Sequence, residues 1–369
     1  MSKTLVGVND AKAIHKQSAF LAVESAKKSY WSKKFSTLSP EGNAPIHILT
    51  ELENDAGEKI TYDLNVQLKN EGTEGDDVTE GTEEALSFYS DSIYIDQLRK
   101  GVNAGGRMAR KRTIHDLRKV GRARLSDWWG RLFDEMIFIY MSGSRGVNAD
   151  YILRLGYGGF AGNPLQAPDA NHLVYGGDAT SKATLDASDK MKISLIDRLV
   201  TKADTQGGGI VEGAELQPIM VDGEKHFVLA MHTWQFHDLK TDTGATGWLE
   251  LQKAAAAAQG ADSPIFKGRE GLYNNVVLHK HKSIIKFNDY GAGGNVTAAR
   301  ALFMGAQAGS MAFGSEGNGL TRFSWGEETD DRGNQLIITT NSIFGVKKNR
   351  FNTEDFGLFS VDTAAADPG

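Results

Sequence analysis

Four histidines are the residues whose types and spacing could support metal chemistry. His279 and His281 lie two apart in a predicted strand, and His232 and His237 flank the end of another. A metal site of this kind needs neutral imidazoles that converge with a carboxylate. Residues two apart share a face of any strand, and the lysines beside this pair would oppose a cation. We therefore interpret these histidines as ordinary surface or interface residues and predict no metal site.

A glycine cluster at 291–294 is the other pattern with a chemical interpretation, because it precedes Asn295 and a predicted helix. It lacks the Lys-Ser/Thr ending of a P-loop and the acidic partner of a dinucleotide fingerprint. We interpret it as a flexible loop. No Ser-His-Asp order, nucleophile elbow or catalytic carboxylate pair is recognisable, so we predict no enzyme and no cofactor. The enzymatic alternative is a metal-dependent hydrolase that uses His279 and His281.

The composition limits the class of protein. The chain has 369 residues, 40% of them hydrophobic, which is enough to bury a sizeable core in more than one substructure. It has no cysteine, which excludes disulfides, zinc-thiolate sites and thiol catalysis. The least polar stretch, 301–315, is too short and too rich in glycine to span a bilayer. We expect a soluble protein, made in the cytoplasm, with no membrane partner.

The net charge of -6 hides two segments of opposite charge. The first holds seven acids and no base: Glu71, Glu74, Asp76, Asp77, Glu80, Glu83 and Glu84. The second holds nine bases and two acids between 107 and 131, the bases being Arg107, Arg110, Lys111, Arg112, Arg118, Lys119, Arg122, Arg124 and Arg131. One interpretation is two solvated surfaces. The other is that the segments face each other across subunits, since opposite charges fix the register of docking.

A long helix over 107–141 is the predicted centre of the fold. Its apolar positions follow steps of three and four, and Gly121 lies on the same stripe, where a neighbouring element could approach closely; the positions are Ile114, Leu117, Leu125, Trp128, Leu132, Met136 and Ile139. At about 1.5 Å of rise per residue, such a helix would be roughly 50 Å long.

Before this helix, the pattern predicts an arm and a projecting hairpin. An amphipathic helical arm ends at Ser39-Pro40. A strand is predicted over 60–68, and its predicted partner is the strand 46–49. The acidic tract would form the tip of a long excursion that returns through 86–95. We expect the arm and the excursion to be satisfied by sister copies of the chain.

After the long helix, strands and helices mix without a regular β-α-β alternation, which predicts an α+β fold. Residues 298–313 stay open between one helix and a strand followed by a helix. The remaining predicted elements are helices at 189–204 and 248–259, a hairpin of 217–221 and 225–231, and strands at 276–278, 284–287, 335–340 and 342–346.

This order of elements resembles the major capsid proteins of tailed bacteriophages with the Hong Kong 97-type fold. More specifically, five stretches resemble the branch of the phage N4 major head protein: 93–99 (IYIDQLR), 227–232 (FVLAMH), 265–273 (IFKGREGLY), 300–308 (RALFMGAQA) and 343–348 (IFGVKK). They occur in the expected order over most of the chain.

The resemblance implies a structural subunit that assembles into hexamers and pentamers of an icosahedral shell around double-stranded DNA. It also implies a division into an N-terminal arm (1–44), an extended loop (45–106), a peripheral domain with the spine helix (107–183), an axial domain (184–322) and a return to the peripheral domain with the C-terminal tail (323–369). The expected partners are a separate scaffolding protein, a portal, a decoration protein and non-specifically bound DNA, and the expected location is the virion, with the host cytoplasm during assembly.

Two other classes stay open. An encapsulin-like compartment would use the same fold to load a cargo protein, and a soluble nucleic-acid-binding module would use the basic helix alone. The second predicts binding that falls steeply with salt and needs no assembly.

Overall fold

Helices and strands alternate irregularly along the chain. The structure is a computed structural model that describes residues 11–38, 43–53, 57–65, 72–74, 80–81, 83, 88–206, 215–221, 223–242, 271–315 and 322–369. The helices are α1 (Ala11–Lys28), α2 (Trp31–Lys34), α3 (Arg107–Arg112), α4 (Leu117–Ser142), α5 (Ile193–Gln206) and α6 (Thr233–Thr241), with a 3-10 turn at Glu51–Glu53.

Within the described residues, the strands form two large sheets and three two-stranded ribbons. They are β1 (Ser36–Thr37), β2 (Ile46–Leu49), β3 (Lys59–Asn65), β4 (Phe88–Tyr94), β5 (Asp96–Asn103), β6 (Gly159–Phe160), β7 (Asn163–Pro164), β8 (Leu173–Tyr175), β9 (Ile219–Val221), β10 (Glu224–Met231), β11 (Gly271–Tyr273), β12 (Val276–Lys280), β13 (Lys286–Tyr290), β14 (Val296–Met304), β15 (Gly309–Gly314), β16 (Ser324–Asp330), β17 (Gln335–Lys348), β18 (Arg350–Phe351), β19 (Glu354–Asp355) and β20 (Leu358–Ala364). This mixture confirms the α+β class.

Sheet I has the order β1-β2-β15-β17-β16, and β5 also pairs with β17. Strand β17 is its centre. Residues 337–341 of this strand pair with β5 and with β16, and residues 343–344 pair with β5 and with β15. One strand therefore carries β5 along one side and β15 and β16 end to end along the other. The two strands predicted at 335–340 and 342–346 are this single strand.

Sheet II has the order β11-β12-β10-β14-β20-β8, with β13 and β9 added. Side chains on both of its faces are buried: Val228 of β10 belongs to the core around α4, whereas Leu229 packs with α5. A strand buried on both faces reads as a continuous apolar run without alternation. This explains why 298–313 was ambiguous. The strand of the second alternative is confirmed by β14, whereas the helix of either alternative was wrong, because β14 is followed by a turn and β15.

The predicted single helix over 107–141 is interrupted. Residues 113–116 separate α3 from α4, and the Asp116 carboxylate accepts hydrogen bonds from the backbone N–H of Arg118 (3.1 Å) and Lys119 (3.4 Å). A side chain that caps a new helix in this way competes with helix continuation. Ile114, predicted on the apolar stripe, is 97% exposed, so this part of the prediction was wrong.

The rest of the stripe is confirmed. Leu125, Leu132, Met136 and Ile139 are buried in the core. Gly121 faces β17, where an added Cβ would lie 3.3 Å from Ile338 Cδ1. The predicted close approach of a neighbouring element is therefore present.

The arm packs on α4 of its own chain. Leu21, Trp31 and Phe35 are buried in the core that α4 shares, and Gly130 of α4 lies so close to α1 that an added Cβ would be 3.1 Å from Lys28 Cβ. The expectation that sister copies satisfy the arm was wrong for these residues, because their apolar surface already has a partner within the chain.

The strand predicted over 60–68 pairs with a different strand from the one expected. Strand β3 pairs with β4, with Ile60 opposite Ile93, whereas β2 pairs in parallel with β1 and β15. Strand β2 lies between β1 and β15 in sheet I, and its Leu49 packs in one apolar cluster with Ile60 of β3 and Ile93 of β4. The return of the excursion through β4 agrees with the prediction.

Among the later elements, α5 and the β9–β10 hairpin agree with the predictions. The helix predicted at 248–259 lies outside the described residues. In the described part of the chain, no helix is long and apolar enough to cross a membrane.

Each of the two large sheets contains strands from both sides of position 322. Strand β15, before position 322, belongs to sheet I, and β20, after it, belongs to sheet II beside β8. Because the terms axial and peripheral refer to positions in a shell, the domain names stay a prediction.

Candidate self-assembly surface

Residues 107–124, which comprise α3, the break at 113–116 and the start of α4, form the basic surface predicted from the sequence. We call this surface the basic elbow. Arg107, Lys111, Arg112, Lys119 and Arg124 are exposed on it. Two of the most exposed large apolar side chains in the described residues, Met108 (61%) and Ile114 (97%), stand among these bases. Contact with a partner would bury this apolar surface, which is favourable because it removes the surface from water.

Several of the elbow's bases are already engaged by their own chain. Arg118 makes a two-pronged ion pair with Glu327 of β16, with 2.8 Å between Nε and Oε1. Arg122 pairs with Glu24 of α1 at 3.4 Å. Arg110 donates to the backbone carbonyl of Asn334, and Arg107 donates to that of Gly333. These contacts fix the elbow to sheet I and the arm. The other exposed basic side chains of the elbow therefore project from a fixed backbone.

The acidic tract is partly described. Glu74, Glu80 and Glu83 are exposed, and the Glu83 carboxylate accepts a hydrogen bond from the Gly81 backbone N–H at 2.7 Å. Four predicted members, Glu71, Asp76, Asp77 and Glu84, lie outside the described residues. Within the ranges that the structure covers, no ion pair joins the tract to the bases of α3 or α4. Among the described residues, the two predicted surfaces therefore form no ion pair with each other.

The arm is held by a carboxylate that the sequence analysis missed. Asp134 of α4 accepts hydrogen bonds from Ser29 Oγ (2.7 Å) and from the backbone N–H of Tyr30 (2.9 Å) and Trp31 (3.4 Å). It thus satisfies the N-terminus of α2. Burial raises the pKa of Asp134 to about 6, although these hydrogen bonds act to lower it. The sequence signal that could have indicated the role of Asp134 is an acidic residue within the largely apolar run 132–141.

Its neighbour Glu135 fastens the loop after α4. The carboxylate accepts hydrogen bonds from the backbone N–H of Ile152 (2.7 Å) and Leu153 (3.4 Å). Burial raises the pKa of Glu135 to about 7, against the opposing effect of these hydrogen bonds. Asp134 therefore connects α4 to the arm, which is far from it in sequence, and Glu135 connects α4 to the loop that follows it.

The histidines are engaged in packing. His281 accepts a hydrogen bond at Nδ1 from the Ser283 backbone N–H (3.1 Å) and stacks on Phe138 at 5.0 Å between ring centroids. His232 accepts at Nδ1 from the Trp234 backbone N–H (3.2 Å). The pKa of each is lowered to about 4, mainly by burial. The imidazole rings of His232 and His281 are therefore neutral at pH 7.

The structure describes both patterns that have a chemical interpretation. No three side chains of the metal-binding types gather among the residues described. The glycine cluster 291–294 turns the chain between β13 and β14, so the helix predicted after it was wrong. Its Gly291 and Gly294 have φ of 82° and 61°, which fits a turn.

Comparison with known proteins identifies a family of related proteins. A model of the family described as phage capsid protein matches residues 5–367. The major capsid protein of Pseudomonas phage KPP25 is 27% identical over 94% of this chain and 97% of its own length.

Solved structures are similar over the whole chain. The capsid of Ralstonia phage GP4 covers 100% of both chains at 49% identity, with a TM-score of 0.86. The cyanophage Pam1 capsid has a TM-score of 0.70 at 20% identity over 92% of this chain and 93% of its own, which shows the shared fold. The chain belongs to the phage capsid protein family and is a major capsid protein of a phage.

Proposed function

We propose that this chain builds an icosahedral shell from hexamers and pentamers, and that the acidic tract of one copy docks on the basic elbow of a neighbouring copy. The observation that carries the docking is that exposed acids and exposed bases occur on the same chain without meeting within its described residues. Opposite charges on two surfaces of one chain favour head-to-tail contacts, which close into rings when the rotation permits.

The apolar side chains of the elbow support a protein partner. A site that only neutralised phosphate would need bases alone, whereas Met108 and Ile114 add apolar surface that contact with a protein segment would bury. Many modest contacts of this kind, repeated around a ring, give strong assembly without any single strong contact.

Charge reversal tests the docking. We expect the double variant Arg112→Glu/Lys119→Glu, at two exposed positions, to abolish shells and ring-like capsomers in electron microscopy of the purified full-length chain. Restoration by Glu80→Lys/Glu83→Lys on the tract would support a direct contact. The matched control is Arg154→Glu/Lys192→Glu, at exposed positions outside the elbow.

Other outcomes would reject the docking. Shells formed normally by the elbow variant would show that these bases do not carry the contact. If the variant assembled but lost DNA binding in a salt-dependent manner, the elbow would be a surface for DNA instead. A wild-type chain that stays monomeric at high concentration would contradict self-assembly itself.

We also propose the remaining parts of the assembly. The shell would enclose double-stranded DNA of a tailed phage, bound non-specifically, and would be built in the host cytoplasm with a separate scaffolding protein, a portal and a decoration protein. The five sequence stretches favour the branch of the phage N4 major head protein. An encapsulin-like compartment is the alternative, and nucleic acid rather than a cargo protein inside purified particles would decide against it.

A further inference from the structure

The two-stranded ribbon β3–β4 leaves the body of the protein at one pair of residues. On the body side, Ile60 and Ile93 are buried. On the far side, the described residues Asp63, Ser90 and Phe88 are exposed. Between them lies the register pair formed by Tyr62 and Asp91. An isolated two-stranded ribbon has little stability of its own, so its direction depends on how this pair is held.

Asp91 is held by groups from sheet I and the segment after it. Its carboxylate forms an ion pair with Lys347 of β17 and accepts a hydrogen bond from the Arg350 backbone N–H at 3.2 Å. The Lys347 ammonium also donates to the Ser92 carbonyl at 2.9 Å. The side chains of Asp91 and Lys347 are only 10% and 11% exposed. The pair is therefore largely removed from water.

Tyr62 provides a second attachment on the opposite strand of the ribbon. Its hydroxyl lies 2.9 Å from Asn349 Oδ1 and 3.2 Å from Asp91 Oδ2. Asn349 in turn accepts a hydrogen bond from Ser310 Oγ at 2.8 Å and donates to the Gln307 carbonyl. Both members of the register pair are thus bonded to the end of β17 and to residues next to it.

We infer that the Asp91–Lys347 ion pair is a latch that fixes the direction in which the ribbon leaves sheet I. Lys347 is a rigid anchor, because β17 is hydrogen-bonded to β15 at this position. Turning the ribbon would separate the two charges, each in a site that water hardly reaches, and an unpartnered charge in such a site is strongly unfavourable. Resting on the proposed function, the latch determines where the acidic tract meets a neighbouring copy.

Hydrogen exchange of the unassembled full-length chain tests the latch. We expect Asp91→Asn and Lys347→Met each to accelerate amide exchange in 88–94 by roughly tenfold or more, because each leaves one buried charge without its partner, while α4 is unchanged. The double variant should exchange more slowly than the two single effects combined, since neither charge remains. Asp63→Asn, at an exposed position one residue further along the ribbon, is the matched control.

The outcomes separate the latch from the proposed function. Exchange in 88–94 that matches the Asp63→Asn control, or that rises equally in α4, would overturn the latch whether or not shells form. Electron microscopy of Asp91→Asn should show shells of irregular size beside regular ones for the control. Regular shells would reject the latch's effect on assembly. Absence of shells from the wild-type chain would reject the proposed function and leave the exchange result intact.

Discussion

Buried acids fasten distant segments of this chain to α4 and to the sheets. Asp134 holds the arm and Glu135 holds the loop at 152–153. Arg300 and Asp362 join β14 to β20 through two contacts of 2.7 Å, and the Arg300 guanidinium also donates to the carbonyl of Ser142 at the end of α4. These buried charged side chains therefore have structural roles, because each one satisfies hydrogen-bonding groups that would otherwise be buried alone.

Removing the Asp134 carboxylate should release the arm. We expect Asp134→Ala to lower the free energy of unfolding by about 2–3 kcal/mol, because a hydrogen-bonded charged group is lost and buried N–H groups stay unsatisfied. Urea denaturation measures this change, and limited proteolysis within 20–37 reports the arm. Asp127→Ala on the same helix removes only an exposed ion pair with Arg131 and should cost less than about 0.5 kcal/mol. Equal losses in both variants would contradict the role of Asp134.

Glu135 should make stability depend on pH. Its pKa is raised from 4.5 to about 7 in the folded chain, so the folded state binds the proton more tightly than the unfolded state. The resulting stabilisation is present below about pH 4.5 and is lost as the pH rises through about 7. Between pH 5 and pH 8, wild type should lose about 2 kcal/mol more than Glu135→Gln. Parallel curves would contradict this, and Glu328→Gln, at an exposed position on β16, is the control.

At the scale of elements, α4 is the common support for the arm, sheet I and part of sheet II. Its two internal glycines face different partners: Gly121 faces β17 and Gly130 faces α1. A glycine inside a helix is less favourable than alanine by roughly 1 kcal/mol. Close packing of a neighbouring element at each position accounts for this choice.

Filling the space at Gly130 should push α1 away from α4. An added Cβ would lie 3.1 Å from Lys28 Cβ and 3.2 Å from the Ser25 carbonyl oxygen, and the further methyl groups of valine have less room. We expect Gly130→Val to destabilise the protein by about 1–3 kcal/mol and to expose Trp31, which a red shift of tryptophan fluorescence would detect. Ala123→Val, at an exposed position of α4, should leave both unchanged. An unaltered spectrum for Gly130→Val would contradict the close packing.

The sequence predicted elements whose apolar pattern matched one burial environment. The stripe of α4 and the β9–β10 hairpin carry such patterns, and both were found. The break at 113–116 was missed because Ile114 and Leu117 continue the helical spacing, while the capping of α4 by Asp116 depends on local geometry. The partner of β3 was missed because alternation defines which face of a strand is buried and leaves its neighbour undefined.

At the scale of the whole molecule, the phage capsid family could be recognised from the order of the elements, whereas the residues that hold the surfaces could not. Arg118 was expected to face another copy, but Glu327, which pairs with it, lies more than two hundred positions away. Pairing over such a separation is set by the sheet topology that places β16 beside α4. The acids and bases assigned to contacts between subunits stay a prediction.

Assembly should weaken as salt is added. If the contact joins exposed charges, raising the salt from about 0.1 M to 1 M shortens the screening length from about 10 Å to 3 Å. We expect the protein concentration at which shells first scatter light to rise severalfold over this range. The control variant Arg154→Glu/Lys192→Glu should retain this dependence on salt. A threshold that stays constant or falls with salt would indicate a mainly apolar contact.

The central position of β17 has a mechanical consequence. The ribbon continues directly into β5, and β5 is paired with residues 337–344 of β17 along its whole length. Hydrogen bonds between antiparallel strands run perpendicular to the strands, so a pull on the ribbon along β5 loads all of them in shear at the same time instead of peeling them one by one. Force that reaches one subunit through its ribbon is then shared across sheet I. A shell of such subunits would therefore resist internal pressure by loading many hydrogen bonds at once.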